Sequence, residues 1–209
     1  MDLHLGPAFE GLEVRRGGRS GVRLAGRFPY NRPAVLSDGG KSGRPVKEEF
    51  APGAFAHTIE EKVEIHLLYG HSFDKPLASL KNGTLKFSDT AAFLELEAIL
   101  TPEIMETSYA QDLVAQIESG LVTGLSPGFR LPPERAVPRD KAEQWRDEGS
   151  DPANGMHNAR IRRILEAILV EFSIVTRPAY KEAQVEMIRA QQDHVERDGL
   201  NRTLRRWRL

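Results

Sequence analysis

The chain has 209 residues, 40% of them hydrophobic and 28% charged, with no cysteine and a formal net charge of -1. That length suffices for one domain with its own core, and the balanced charge excludes a global pull toward nucleic acid or an anionic membrane. The missing cysteines exclude disulfides, thiolate metal sites and cysteine nucleophiles together, and fit a reducing compartment.

The first segment, 1–20, has neither the basic nor the apolar block of a signal peptide over Met1–Glu10. Gly21 to Arg27 reads as a strand, and Leu36 to Pro45 (LSDGGKSGRP) as a flexible loop. Glu49-Phe50-Ala51-Pro52-Gly53-Ala54-Phe55 leads into a short helix ending near Glu61. Val63, Ile65 and Leu67 then alternate with Glu64 and His66, the period of a half-buried strand, and His71 stands just past its end after Gly70. Asn82-Gly83 is a two-residue hairpin signal, followed by strands at Thr84–Ser88 and Phe93–Leu100. Thr101-Pro102 opens a helix whose apolar stripe is Met105, Tyr109, Leu113 and Ile117, and Gly120 closes it.

Leu121 to Arg130 (LVTGLSPGFR) reads as a strand carrying Ser126. Residues 131–159 are polar and proline-punctuated, an expected exposed and partly mobile insertion. Ile161 to Val175 reads as two strands of one sheet, and Arg177-Pro178-Ala179-Tyr180 ends that block. The charged segment 181–209 follows, with a helix expected over 181–198. The longest apolar run, Ala167 to Val170, is far too short to cross a bilayer. The expected setting is therefore intracellular, or inside a larger particle. Strands are not regularly separated by helices, so a parallel βαβ sheet is not expected. A mostly β, α+β fold is, as an antiparallel barrel or sandwich with a few peripheral helices.

Serine chemistry needs a base within hydrogen-bond reach, a group that orients the base, and donors for the oxyanion. Ser126 lies in Gly124-Leu125-Ser126-Pro127-Gly128, where the glycines allow backbone and substrate to approach closely. The same pattern suits a strand-end turn serine. Pro127 has no N–H to offer an oxyanion, and it argues against the helix that follows a nucleophile elbow. His71, beside Gly70 at a strand end, is placed to line a cleft; a surface-loop histidine looks the same. His66, within the strand, is its internal competitor, ahead of His57, His157, His4 and His194. Glu171 sits in an apolar strand, where alternation puts Leu169, Glu171 and Ser173 on one face and Val170, Phe172 and Ile174 on the other. It reads equally as a solvated edge carboxylate or as the group that holds His71 in one tautomer. No HExxH, close histidine pair or phosphate-binding loop occurs, so no metal or cofactor is expected.

These pieces, in order, resemble the HK97-type prohead proteases, the capsid-maturation serine proteases of tailed phages. The matching stretches are Glu49–Phe55, the strand ending at His71, Asn82-Gly83-Thr84-Leu85, the helix ending at Gly120, Gly124–Phe129, and Leu169 to Tyr180. The family is similar to the herpesvirus maturation proteases, which implies a closed antiparallel β-barrel ringed by helices over residues 21–180. The resemblance implies Ser126 as nucleophile, His71 as base and Glu171 as the orienting residue, where the herpesvirus enzymes carry a second histidine. It also implies oxyanion donors among the backbone N–H groups of Arg177, Ala179 and Tyr180. Pro127 departs from the small or bulky apolar residue usual after the serine. The implied substrates are scaffold, the scaffolding segment of the major capsid protein, and the chain itself, inside the prohead in the host bacterial cytoplasm. A portal contact and a homodimer are further implied partners, whereas nucleic acid and membrane are not. A non-catalytic assembly protein that retains the fold, and an esterase-like hydrolase using the same pair, are the alternative readings.

Overall fold

The computed structural model describes residues 21–41, 43–180 and 184–188. The strands are β1 (Val22–Pro29), β2 (Ala34–Ser37), β3 (Val46–Phe50), β4 (His66–Tyr69), β5 (Ser72–Ser79), β6 (Leu85–Asp89), β7 (Phe93–Leu100), β8 (Gly124–Arg130), β9 (Glu143–Asp147), β10 (Ser150–Asp151), β11 (Met156–His157), β12 (Arg160–Ile164), β13 (Ile168–Val175) and β14 (Gln184–Ile188). The helices are α1 (Ala56–Glu60), α2 (Pro102–Met105), α3 (Ser108–Glu118) and α4 (Arg139–Ala142). None is long and apolar enough to cross a membrane.

Alternation builds the main sheet. In β7, Leu94, Leu96, Ala98 and Leu100 are buried while Phe93, Glu95, Glu97 and Ile99 turn away. Eight strands pair in the order β5-β4-β13-β8-β14-β1-β7-β6. The chain is mostly β with few helices, as expected, but the expected closed antiparallel barrel is not what these pairings draw. Among the described residues no ladder joins β5 to β6, and β4 runs parallel to β13. The two edge strands are nevertheless consecutive in the chain, so the sheet curls. The turn between them, through Asn82-Gly83, is closed by Gly83 N–H donating to Leu80 O at 3.1 Å. Asn82-Gly83 thus makes a turn without a hairpin, because the strands it joins belong to opposite edges.

The inside of the curl is apolar. Leu24 and Phe28 of β1, Leu67 of β4, Leu125 of β8, and Leu169, Phe172 and Ile174 of β13 are buried there with Ala110, Leu113 and Ile117 of α3. The single helix expected from Thr101 is two. Thr101 caps α2 as read, but the Thr107 hydroxyl donates to Ile104 O at 2.6 Å, and α3 begins anew with Thr107 at its N-cap position, without a side-chain capping bond. Gly120, at φ 72, follows the C-cap Ser119 of α3 in the expected role.

A second, four-stranded sheet has the order β2-β3-β12-β9. Ile161–Val175, expected as two strands of one sheet, is therefore split between sheets. The crossing is fixed by Ala51 N–H donating to Ile164 O and Ala167 N–H donating to Ala54 O, each at 2.8 Å. The segment Glu49–Phe55 is the plug at this junction. Phe50 and Phe55 pack at 5.0 Å between ring centroids, and Phe50 meets Phe28 edge-on at 5.3 Å.

Register in the second sheet is written in charge. β3 and β12 pair in parallel with Glu48 opposite Arg162 and Glu49 opposite Arg163. Neighbouring strand residues point to opposite faces, so both faces of β3 bury a carboxylate and each meets its own arginine, at 3.0 Å and 2.7 Å. Residues 131–159, expected as an exposed insertion, are exposed over most of their length but carry α4, β9, β10 and β11, and β9 pairs with β12. The expected helix over 181–198 meets the description only at Gln184–Ile188, which is β14, between β8 and β1; the rest of 181–209 lies outside the described residues.

Glu148 ties this segment down. Its carboxylate accepts from Lys47 Nζ and from the N–H groups of His157, at 3.0 Å, and Ala159, at 3.2 Å. Burial pushes its carboxyl up, but these donors and the Lys47 charge outweigh burial and hold it below the usual carboxylate value. The unfolded chain then binds the proton more readily, so this stabilisation is present above the ordinary carboxylate pKa and is lost as pH falls through the folded one. Between about pH 5 and about pH 3, the urea midpoint of Glu148→Gln should fall less steeply than that of the unaltered chain. Equal slopes would remove Glu148 from the account.

Candidate active site

The turn between β4 and β5 has two residues. Tyr69 pairs with Ser72, and Gly70 and His71 between them have φ of 64 and 59. Positive φ at both central positions is what a tight type I′ hairpin demands. Glycine adopts it freely, while histidine does so at a cost of roughly 1–2 kcal/mol. The turn is held by β13: Gly70 N–H donates to Ile174 O at 3.0 Å, and His71 N–H donates to Ser173 Oγ at 2.9 Å.

That docking lays the imidazole over Glu171. His71 Nδ1 is 2.8 Å from Glu171 Oε1, and the two side chains differ sharply in exposure, at 48% and 5%. With the carboxylate ionised it can only accept, so in a neutral imidazole this contact puts the proton on Nδ1 and leaves the lone pair on Nε2. The other oxygen, Glu171 Oε2, accepts from Ser173 Oγ at 2.6 Å. His66 is the register partner of Glu171 across β4, but its ring packs edge-on against Phe73, at 6.5 Å.

Glu171 faces outward because the strand slips. β13 and β8 pair Leu169 with Phe129 and Glu171 with Gly128, leaving Val170 as an extra residue. This bulge overturns the expected alternation. Leu169 joins Phe172 and Ile174 in the core, Val170 is 37% exposed, and Glu171 and Ser173 lie on the opposite face.

On β8 the same outward row holds Gly124, Ser126 and Gly128. A Cβ on Gly128 would lie 2.0 Å from Glu171 Oε1, and one on Gly124 would lie 2.5 Å from the Pro178 ring. The two glycines make room for the chain's own carboxylate and proline, rather than only for substrate. Ser126 alone in this row carries a side chain, between Pro178 at one end and Glu171 at the other. It pairs directly with Ser173, which puts their Cβ atoms about 4.5–5.5 Å apart. Ser126 is partly exposed, whereas Ser173 is fully buried and its hydroxyl proton goes to Glu171.

The loop after β13 is pinned at two positions, Pro178 and Tyr180. Pro178 lies on Gly124, and Tyr180 is buried in the aromatic core 4.8 Å from Phe28. Tyr180 O–H donates to Glu48 Oε1 at 3.1 Å. Burial, with the adjacent Glu48 charge, pushes the Tyr180 phenol well above its ordinary value, so it stays a donor. Burial pushes Glu48 up too, against the downward pull of Arg162 and Tyr180. Arg177, ahead of the first anchor, and Ala179, between the two, are exposed.

The geometry thus brings His71 and Glu171 into contact and sets Ser126 on the same face, beside Ser173. His57 and His157 lie elsewhere, on α1 and β11, and His4 and His194 lie outside the described residues. A family model described as caudovirus prohead serine protease matches residues 35–198. The chain belongs to that family. Its members are serine peptidases of phage capsid maturation, and the matched span takes in all the residues of this face and, among the described strands, all but β1 and the first residue of β2. No curated protein and no solved structure matches the chain.

Gly128→Ala tests the packing of this face. It should lower the unfolding free energy by about 1–3 kcal/mol, the usual cost of overpacking, read from the denaturant midpoint. An unchanged midpoint would mean that Glu171 does not occupy the space above Gly128.

Proposed function

We propose that the chain is a serine endopeptidase of the prohead, with Ser126 as nucleophile, His71 as general base and Glu171 as the carboxylate that orients the base. The observation that carries this reading is the Glu171–His71 contact, with Ser126 on the same face. It leaves Nε2 as the acceptor on a half-exposed ring. His71 Nε2 takes the Ser126 hydroxyl proton as Oγ attacks the scissile carbonyl. The imidazolium gives that proton to the leaving amine, and an acyl-enzyme remains. Water then repeats the sequence, losing its proton to His71, and releases the acid and free Ser126. Buried Glu171 stabilises the imidazolium in both halves and holds Nδ1–H toward itself.

The oxyanion is assigned to backbone N–H groups of the loop Arg177–Tyr180. Support comes from Pro178, which brings this loop against Gly124, two residues before the nucleophile. Pro127 has no N–H to contribute. The curl of the eight-stranded sheet supports kinship with the barrel of herpesvirus maturation proteases. The substrates proposed are scaffold, the scaffolding segment of the major capsid protein and the chain itself, met inside the prohead within the host cytoplasm. A contact with the portal and a homodimer belong to the same proposal.

Co-expression with the cognate major capsid protein tests the roles, read as trimming on a gel and by mass spectrometry of the new ends. Ser126→Ala should abolish trimming with the fold intact; continued trimming would refute the nucleophile. His71→Ala should lose activity where His66→Ala keeps it, and the reverse result would move the base to His66. Glu171→Gln should slow turnover less than loss of the serine does, by up to about 10⁴-fold. Full activity in Glu171→Gln would strip Glu171 of its role.

A further inference from the structure

We propose that Ser173 is a positioning residue, a fourth member of the site that holds base and carboxylate in one arrangement; the proposal rests on the roles assigned above to His71 and Glu171. Ser173 is fully buried, so its hydroxyl is closed off from bulk solvent. Its two bonds both go to the site. It donates to Glu171 Oε2 at 2.6 Å and accepts from His71 N–H at 2.9 Å. One hydroxyl therefore ties the backbone of the base to the far oxygen of the carboxylate that holds its ring.

The need for such a group follows from the surroundings of Glu171. Its carboxyl is buried, and among the described residues its only ion-pair partner is His71. A buried carboxylate without a cation must be met by hydrogen-bond donors. Ser173 supplies one and fixes the carboxylate plane, so that Oε1 faces Nδ1. The second bond acts on the turn. His71 sits at φ 59, a conformation that relaxes unless something holds it, and Ser173 Oγ is the acceptor that holds its N–H. Ser173 is not a rival nucleophile. Its proton is directed to a carboxylate and away from the imidazole, and it has no exposed surface.

The valine and threonine variants separate the hydroxyl from its packing, because both add the same bulk and only threonine keeps the donor. The full chain is treated with a fluorophosphonate probe, which labels an activated serine without any knowledge of the substrate. Ser173→Ala should lower the maximal labelling rate by roughly tenfold, about the loss expected for one hydrogen bond to a charged group, with the half-saturating probe concentration unchanged. Ser173→Thr should label roughly tenfold faster than Ser173→Val by the same reasoning. Equal rates for threonine and valine, or an alanine variant as fast as the unaltered chain, would overturn the proposal. A second readout does not depend on activity: the Nδ1–H resonance of His71 in protein carrying ¹⁵N-labelled histidine. It should persist in the threonine variant and shift or exchange away in alanine and valine; the same signal in all three would overturn the proposal. Labelling that survives in Ser126→Ala would instead count against the nucleophile assignment and leave the resonance to judge Ser173.

Discussion

Among the described residues no lysine or arginine pairs with the buried carboxylate of Glu171, so it has to be met by other donors, and the site is organised by that requirement. Glu171 is met by an imidazole N–H and a serine hydroxyl. To meet it, His71 takes a left-handed backbone in a two-residue turn, Gly128 gives up a side chain, and β13 gains an extra residue at Val170. The bulge is the decisive step. It lets one strand contribute Leu169, Phe172 and Ile174 to the core while turning Glu171 and Ser173 to the other face.

The second sheet serves the first through Tyr180. Its ring belongs to the aromatic core, while its hydroxyl reaches Glu48. Glu48 in turn is fixed by Arg162 across the ladder. Breaking one member of such a buried pair typically costs about 3–5 kcal/mol, because the partner charge is left uncompensated. The loop ahead of Tyr180 is thus anchored to a charge-defined register on a different sheet. The polar segment 131–159 contributes to the same layer, since Glu143 of that segment also holds Arg162.

Much of the site was legible because its residues sit at ends and turns that sequence marks clearly. Gly70 before His71 and the glycines around Ser126 flagged backbone constraint, and Glu171 stood out as a charge in an apolar run. The meaning of those signals was less accessible. Gly124 and Gly128 clear space for Pro178 and Glu171, contacts made across the fold. The bulge at Val170 leaves no mark, since period-two alternation fits ILVEFSIV as well as the true phase does. Ser173 falls on the same face as Glu171 either way, because the bulge lies before both, but its partnership with the His71 backbone depends on how β4 docks on β13. The split of Ile161–Val175 between sheets was hidden likewise, because continuous apolar sequence does not say where a chain changes layer. Asn82-Gly83 did make a turn, and only topology shows that its flanking strands never pair.

The curl of the main sheet leaves two strand edges, and each is a poor template for another chain. Between Leu68↔Pro76 and Tyr69↔Ser72, β5 accommodates Phe73, Asp74 and Lys75 without partners, and it carries a proline. The opposite edge, β6, is short and bears Lys86 and Asp89. Bulges, proline and charge are the features by which edges resist strand-to-strand joining. An enzyme proposed to work at high density inside a shell, among partners that assemble by design, gains from this. It can be crowded against its own copies without being drawn into the polymerisation around it.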